Sequence, residues 1–238
     1  MEKNNDFLHN IVRSHLVESA LVKRRLLGAT GGFDYSKVQV VSAGLSMPQY
    51  SSDVVSGSDA VDAVVQAVST IAASFRNGGK LMLCGNGGSA ADCQHMAAEF
   101  TNILERSFDR GPLPAISLTT DTSFLTSFIN DSRLFAQIFS RQVEALGRKG
   151  DVLIGISTSG GSENVIRAVR KAQEMGMATI AFTGEGGPLA EVADIAIRVP
   201  SARTSHIQEA HLAIEHAICD AVEHLMFPEK GSALREAV

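Results

Sequence analysis

The sequence predicts an α/β protein built in three layers, with helices on both faces of a central parallel sheet and further helices at the N-terminus. Three observations carry this expectation. From Lys80 onward, five short apolar runs (Leu81–Cys84, Ala115–Leu118, Val152–Ile156, Thr179–Phe182 and Ile195–Val199) alternate with helical stretches near 89–104, 133–147, 162–175 and 206–226. Strands that alternate with helices form parallel sheets covered on both faces, and such sheets bind ligands at the carboxyl ends of their strands. Two of the strand–helix turns are rich in glycine or hydroxyl side chains. Finally, 238 residues that are 45% hydrophobic and 20% charged suffice to bury one sizeable core.

Taken in order, residues 7–27 put Leu8, Ile11, Val12, Leu16 and Ala20 at three- and four-residue spacing. This is an amphipathic helix stopped by Gly28 and Gly31-Gly32. Residues 29–57 have no sustained period and read as a connecting segment with a short strand at Val38–Val41. A second helix starts at Ser58 or Asp59, either of which can cap it, and runs through Val61, Val64, Val65, Val68, Ile71, Ala72 and Phe75 to Arg76. The division expected is therefore 1–57, an N-terminal helix and connection; 58–227, the α/β domain; and 228–238, a polar tail.

A formal net charge of −5 argues against nucleic-acid and membrane-surface binding, both of which need a basic face. Cys84, Cys93 and Cys219 are odd in number and lack C-x-x-C spacing, so they read as cytosolic thiols. No apolar run approaches the roughly 18 residues of a membrane span, and the acidic N-terminus suits neither a signal nor a transit peptide. The expected compartment is the cytoplasm.

The first of the two turns is Leu83-Cys84-Gly85-Asn86-Gly87-Gly88-Ser89. Glycines let the backbone approach an anion, and the free N–H groups of a helix start point at it. As a dinucleotide fingerprint, Gly85-x-Gly87-x-x-Ala90 fits only the relaxed form, and Glu105, the acidic residue at the expected distance, falls at a helix end. A tight turn without a ligand is the plainer alternative. The second turn, Gly155-Ile156-Ser157-Thr158-Ser159-Gly160-Gly161-Ser162, supplies three serine hydroxyls and a threonine hydroxyl within six residues and has no Walker lysine. It suits a phosphate monoester better than a nucleoside triphosphate.

Two helices carry ionisable groups at suggestive spacing. His95 and Glu99 are an i, i+4 pair on the helix after the first turn. The last helix holds Gln208 and His216, about 80° apart around its axis. His211 and Glu215 form an equally good i, i+4 pair, so spacing alone does not choose between them.

The runs CGNGGSAADCQHMAAEF, PLPAISLTTDTS, IND, GDVLIGISTSGGSENVI, AFTGEGG and RTSHIQEAHLAIEH resemble the phosphoheptose isomerase family, within the wider class of sugar-isomerase (SIS) domains, over residues 58–227. The resemblance implies a flavodoxin-like arrangement without a nucleotide and an aldose–ketose isomerase acting on sedoheptulose 7-phosphate. It implies Glu99 and His216 as catalytic residues and His95, Glu99, Gln208 and His216 as ligands for one Zn²⁺ per subunit. The implied substrate contacts are Asn86, Gly87, Gly88, Ser89, Glu99, Asn130, Asp131, Ser157, Thr158, Ser159, Ser162 and Gln208. A homotetramer follows from the same resemblance, and His211 and Glu215 become packing or surface residues. Three features depart from the family pattern: Ile103 where many members are basic, Ile129 and Ser132-Arg133 around Asn-Asp, and a long 29–57 link. Two rival readings are a non-catalytic SIS-domain protein that binds the replication initiator DnaA and an isomerase of another sugar phosphate. Glu99 and His216, which the DnaA-binding relative lacks, favour catalysis over the first.

Overall fold

In the computed structural model, residues 17–26, 57–106 and 109–228 are described. The strands are β1 (Leu81–Gly85), β2 (Ala115–Ser117), β3 (Val152–Ser157), β4 (Ala178–Thr183) and β5 (Ile195–Arg198). All neighbours pair in parallel, in the order β2-β1-β3-β4-β5. Every residue of β1 and β3 is buried, which is why both read as unbroken apolar runs and not as alternating ones. The strand pleat divides their side chains between two layers. Leu81 and Leu83 pack into one core with Ile154 and Ile156, while Met82 and Cys84 pack into a second with Leu153.

The first core is covered by α1 (17–26), α2 (Gly57–Arg76), α3 (Gly88–Thr101) and α8 (Thr204–Met226). The second is covered by α5 (Ile138–Leu146), α6 (Glu163–Glu174) and α7 (Pro188–Val192), with α4 (Thr122–Ser132) packed at its margin through Phe124, Leu125 and Phe128. The three-layer α/β/α fold expected from the sequence is thus observed, and it sets α3 and α8 side by side in one layer. Helix α1 docks on α8 through polar contacts: Arg203 pairs with Glu18 at 2.6 Å, and Ser19 and Lys23 both reach Glu209. Val61, Val65 and Leu212 remain exposed, so the apolar stripes of α2 and α8 are incompletely covered within one chain.

Several expectations change. The second helix begins at Gly57. Helix α4 occupies a stretch where no element was expected, and the single helix expected at 133–147 is a 3₁₀ turn (Phe135–Gln137) followed by α5. Arg133, in the left-handed conformation at φ 55°, ends α4 just before that turn. Helix α4 has Ser or Thr in every turn and no fully buried residue, so its apolar period is weak; its start is fixed by Asp121, which accepts from the Phe124 N–H at 2.9 Å. The short strand expected at 38–41, the first half of the first expected helix and the tail from 229 lie outside the described residues. No described helix is long and apolar enough to cross a membrane.

Candidate active site

The sheet order reverses direction between β1, whose next strand in sequence lies on one side, and β3, whose next strand lies on the other. Open parallel sheets form their ligand crevice outside the carboxyl ends of the strands at such a switch point. The two turns singled out in the sequence leave β1 and β3 there, one on each side of the reversal.

In the first turn, Gly87 takes φ +56°, a conformation that favours glycine. A Cβ on Gly88 would stand 2.4 Å from the Gln208 amide nitrogen, so glycine at this position lets α8 approach the turn. Gln208 donates to the buried Asp92 carboxylate at 3.2 Å. In the second turn, the buried Ser157 hydroxyl meets those of Ser162 at 2.9 Å and Ser159 at 3.4 Å, and Ser159 accepts from the Gly161 N–H at 3.2 Å. Ser162 precedes α6 but makes no side-chain cap, so its hydroxyl turns into the loop. Thr158 and Ser159 also border an open cleft of about 490 Å³, shared with Gly186, Gly187, Ser201 and Thr204. The two turns are joined by a pair of amides: Asn86 donates to Asn164 at 2.9 Å, and Asn164 donates back at 2.8 Å.

The ionisable residues meet where α3 and α8 run side by side. The Nε2 atoms of His95 and His216 stand 2.8 Å apart, with ring centroids at 5.1 Å and planes at 65°. One ring must therefore donate and the other accept. His95 Nε2 also lies 3.6 Å from Glu99 Oε1. The Glu99 end of α3 is secured from behind by Arg110, which donates to the carbonyls of Glu99 at 2.8 Å and Phe100 at 3.0 Å and pairs with Glu223 at 2.5 Å, both side chains being fully buried.

Burial sets the electrostatics beneath the cluster. Asp92, three residues before His95, is pushed above the usual carboxylate range by desolvation, against the opposing pull of the Gln208 hydrogen bond and the His95 charge. Glu215 is raised to about 8 by desolvation and then by Asp92. His211 is lowered to about 4 by burial, against the pull of its bond to the Thr183 carbonyl at 3.1 Å. Among the described residues, neither Glu215 oxygen has a hydrogen-bond partner, nor does the second Asp92 oxygen. His211 and Glu215 are both buried, which corrects the surface alternative left open for them, and no ion pair joins them.

Thus the structure brings together His95, Glu99 and His216, sets Gln208 against Gly88, and gathers Ser157, Ser159 and Ser162. Asn130 and Asp131 are different. They lie exposed in the last turn of α4, where Asn130 donates to Asp131 at 2.9 Å; among the described residues, no hydrogen bond of theirs reaches either turn. Sequence reasoning missed Asp92, Arg110, Asn164 and Glu223. Asp92, at i−3 from His95, is the one that helical spacing alone could have suggested.

A divalent cation would find suitable donors in two imidazole nitrogens, a carboxylate and an amide oxygen. At 2.8 Å the two nitrogens form a hydrogen-bonded pair, slightly closer than two that share a zinc ion with bonds of about 2.0–2.1 Å. Among the described residues, no three His, Cys, Asp or Glu side chains stand as a preformed metal shell. The chemistry of the donor set fits; its closure on an ion requires a small separation of the rings.

A hydroxyl-rich turn at the switch point of a parallel sheet suits an anionic ligand, and the class is given by residues 52–184, which match the family model for the SIS domain. Within that class, the chain belongs to the phosphoheptose isomerase family. It is 53% identical over 167 residues to the phosphoheptose isomerase of Roseiflexus sp., a span of 70% of this chain and 83% of that protein. It is 51% identical over 166 residues to that of Rhodospirillum rubrum, spanning 69% and 87%. Among solved structures, phosphoheptose isomerase GmhA from Neisseria gonorrhoeae superimposes with a TM-score of 0.72 at 40% identity, covering 90% of this chain and 98% of that one.

Proposed function

We propose that this chain isomerises sedoheptulose 7-phosphate to D-glycero-D-manno-heptose 7-phosphate, the step that provides heptose for ADP- or GDP-heptose and surface polysaccharide synthesis. The observation that carries this reading is the meeting of His95 and Glu99 from α3 with His216 from α8 in a chain that also gathers Ser157 and Ser162 in one turn.

Isomerisation moves a proton between two adjacent carbons through an enediol, which needs a base at carbon and a proton carrier at oxygen. Glu99 is the base: its carboxylate takes the C1 proton of the open-chain ketose and returns a proton at C2. His216 carries protons between the two oxygens, and its neighbour His95, at 2.8 Å, fixes the tautomer available to it. Ser157, Thr158, Ser159 and Ser162 hold the phosphate at the start of α6, where free backbone N–H groups and the helix dipole favour an anion. Gly87, Gly88 and Ser89 offer backbone donors to the sugar, and Asn130 and Asp131 reach it from α4. A zinc ion held by His95, Glu99, Gln208 and His216 would act as a Lewis acid, polarising the sugar's carbonyl and hydroxyl oxygens. The uncovered stripes of α2 and α8 suit assembly into a homotetramer in the cytoplasm. Glu99 and His216 weigh for catalysis over a DnaA-binding role.

The test is incubation of the purified protein with sedoheptulose 7-phosphate, with and without a chelator, followed by NMR. The aldose product is expected, and its absence in both arms would refute the proposal. Loss of activity with the chelator, restored by zinc, would support the metal. Light scattering giving an active monomer would refute the tetramer.

A further inference from the structure

We infer that Asn164 is a positioning residue for this reaction, one that locks the phosphate-holding turn to the turn that launches the catalytic helix. The inference deepens the proposed function and rests on it for the identity of the substrate. Asn164 is 2% exposed and lies in the first turn of α6. Its Oδ1 accepts both the Val165 N–H at 3.0 Å and the Asn86 amide at 2.9 Å, and its Nδ2 donates to Asn86 Oδ1 at 2.8 Å. Two primary amides joined in both directions hold each other's planes as well as their separation.

Position gives this pair its consequence. The β1–β3 ladder ends at Gly85↔Ile156, and beyond it the two chains diverge into their turns. The asparagine pair bridges them: Asn86 directly follows Gly85, and Asn164 comes back to it from the first turn of α6. On one side, Asn86 precedes Gly87, Gly88 and α3, which carries His95 and Glu99. On the other, Asn164 follows Ser162, whose hydroxyl meets Ser157 at 2.9 Å. The distance from phosphate to reacting carbon is fixed in the substrate, so the phosphate grip and the Glu99 carboxylate must keep a matching separation. Displacement of about 1 Å in such an arrangement costs on the order of 100-fold in rate. The pair also occupies Asn86 Oδ1 and one of its two N–H groups, leaving a single side-chain donor there for the sugar.

The test is a double-mutant cycle of Asn86→Ala, Asn164→Ala and both together, read by kcat and KM on sedoheptulose 7-phosphate, by thermal midpoint and by amide hydrogen exchange. Each single variant is expected to lower kcat/KM by about 10–100-fold, with the double within about threefold of the worse single because one link is broken in all three. Exchange in residues 84–90 should quicken in Asn164→Ala. Should that variant not fold, Asn164→Ser keeps an acceptor for Val165 and cannot reach Asn86, so the same outcomes apply to it. Multiplying losses in the double variant, or unchanged exchange across 84–90, would overturn the inference. Faster exchange in a protein whose wild type does not turn over the heptulose phosphate would sink the substrate assignment and support the link.

Discussion

At the amino-terminal edge of the sheet, polar side chains end in partners from the same chain. Asp151 accepts the Lys80 and Arg148 N–H groups at 2.9 and 2.8 Å and pairs with Lys80 Nζ at 2.5 Å. Asp194 accepts the Thr179 N–H at 2.8 Å and its hydroxyl at 2.7 Å. The carboxyl-terminal edge is built otherwise. There Ser157 meets other hydroxyls, and along α3 and α8 two histidines meet each other while Asp92 and Glu215 keep oxygens without a hydrogen-bond partner among the described residues. Buried polar groups are nearly always satisfied, and each exception needs a reason. Saturation at one edge stabilises the fold; groups left with capacity at the other suit a ligand.

Substitutions at the two edges should therefore fail in opposite ways. The largest effect is expected from Glu99→Gln, which removes the base and should lower kcat about 10²–10⁴-fold with an unchanged urea midpoint; near-normal turnover would remove Glu99 from the role. Asp151→Ala should do the reverse. It strands three donors and should destabilise the fold by roughly 3 kcal/mol, while kcat/KM of the folded protein stays within about twofold. A kinetic defect without a stability loss would erase the contrast between the edges.

The buried pair on α8 gives a pH test. His211, near 4 when folded against an ordinary 6.5, is protonated first in the unfolded chain. Its contribution is therefore full above about pH 6.5 and lost as the pH falls toward 4, by up to about 3 kcal/mol. Glu215, near 8 against 4.5, has the opposite sign: stability is greatest below about pH 4.5 and declines as the pH rises toward 8. Urea titrations at pH 5 and pH 8 should find His211→Gln gaining on the wild type at the lower pH and Glu215→Gln gaining at the higher. The smallest effect is expected from Ser159→Ala, which loses one phosphate hydroxyl and should raise KM up to about 10-fold with little change in kcat.

Much of this was legible in the chain itself. Fully buried strands announce themselves as apolar runs, and the two turns announce themselves by composition. Helix α4 did not, because its serines and threonines blur the helical period and it buries no residue fully. The four ionisable and amide residues emerged through their motif, which also set aside His211 and Glu215, a pair that spacing alone had left in competition; burial then decided between packing and surface for them. Asn164 and Arg110 were silent for a different reason. Their partners, Asn86 and Glu223, lie 78 and 113 positions away, and nothing local in sequence marks a long-range hydrogen bond.

The central claim is that the carboxylate of α3 moves a proton on a sugar phosphate held at the switch point. It is tested most directly by following sedoheptulose 7-phosphate in deuterated water by NMR with the wild type and with Glu99→Gln. The wild type should yield aldose carrying solvent deuterium at C2, and the variant should form it at least 100-fold more slowly. Equal rates from the two proteins would contradict the account.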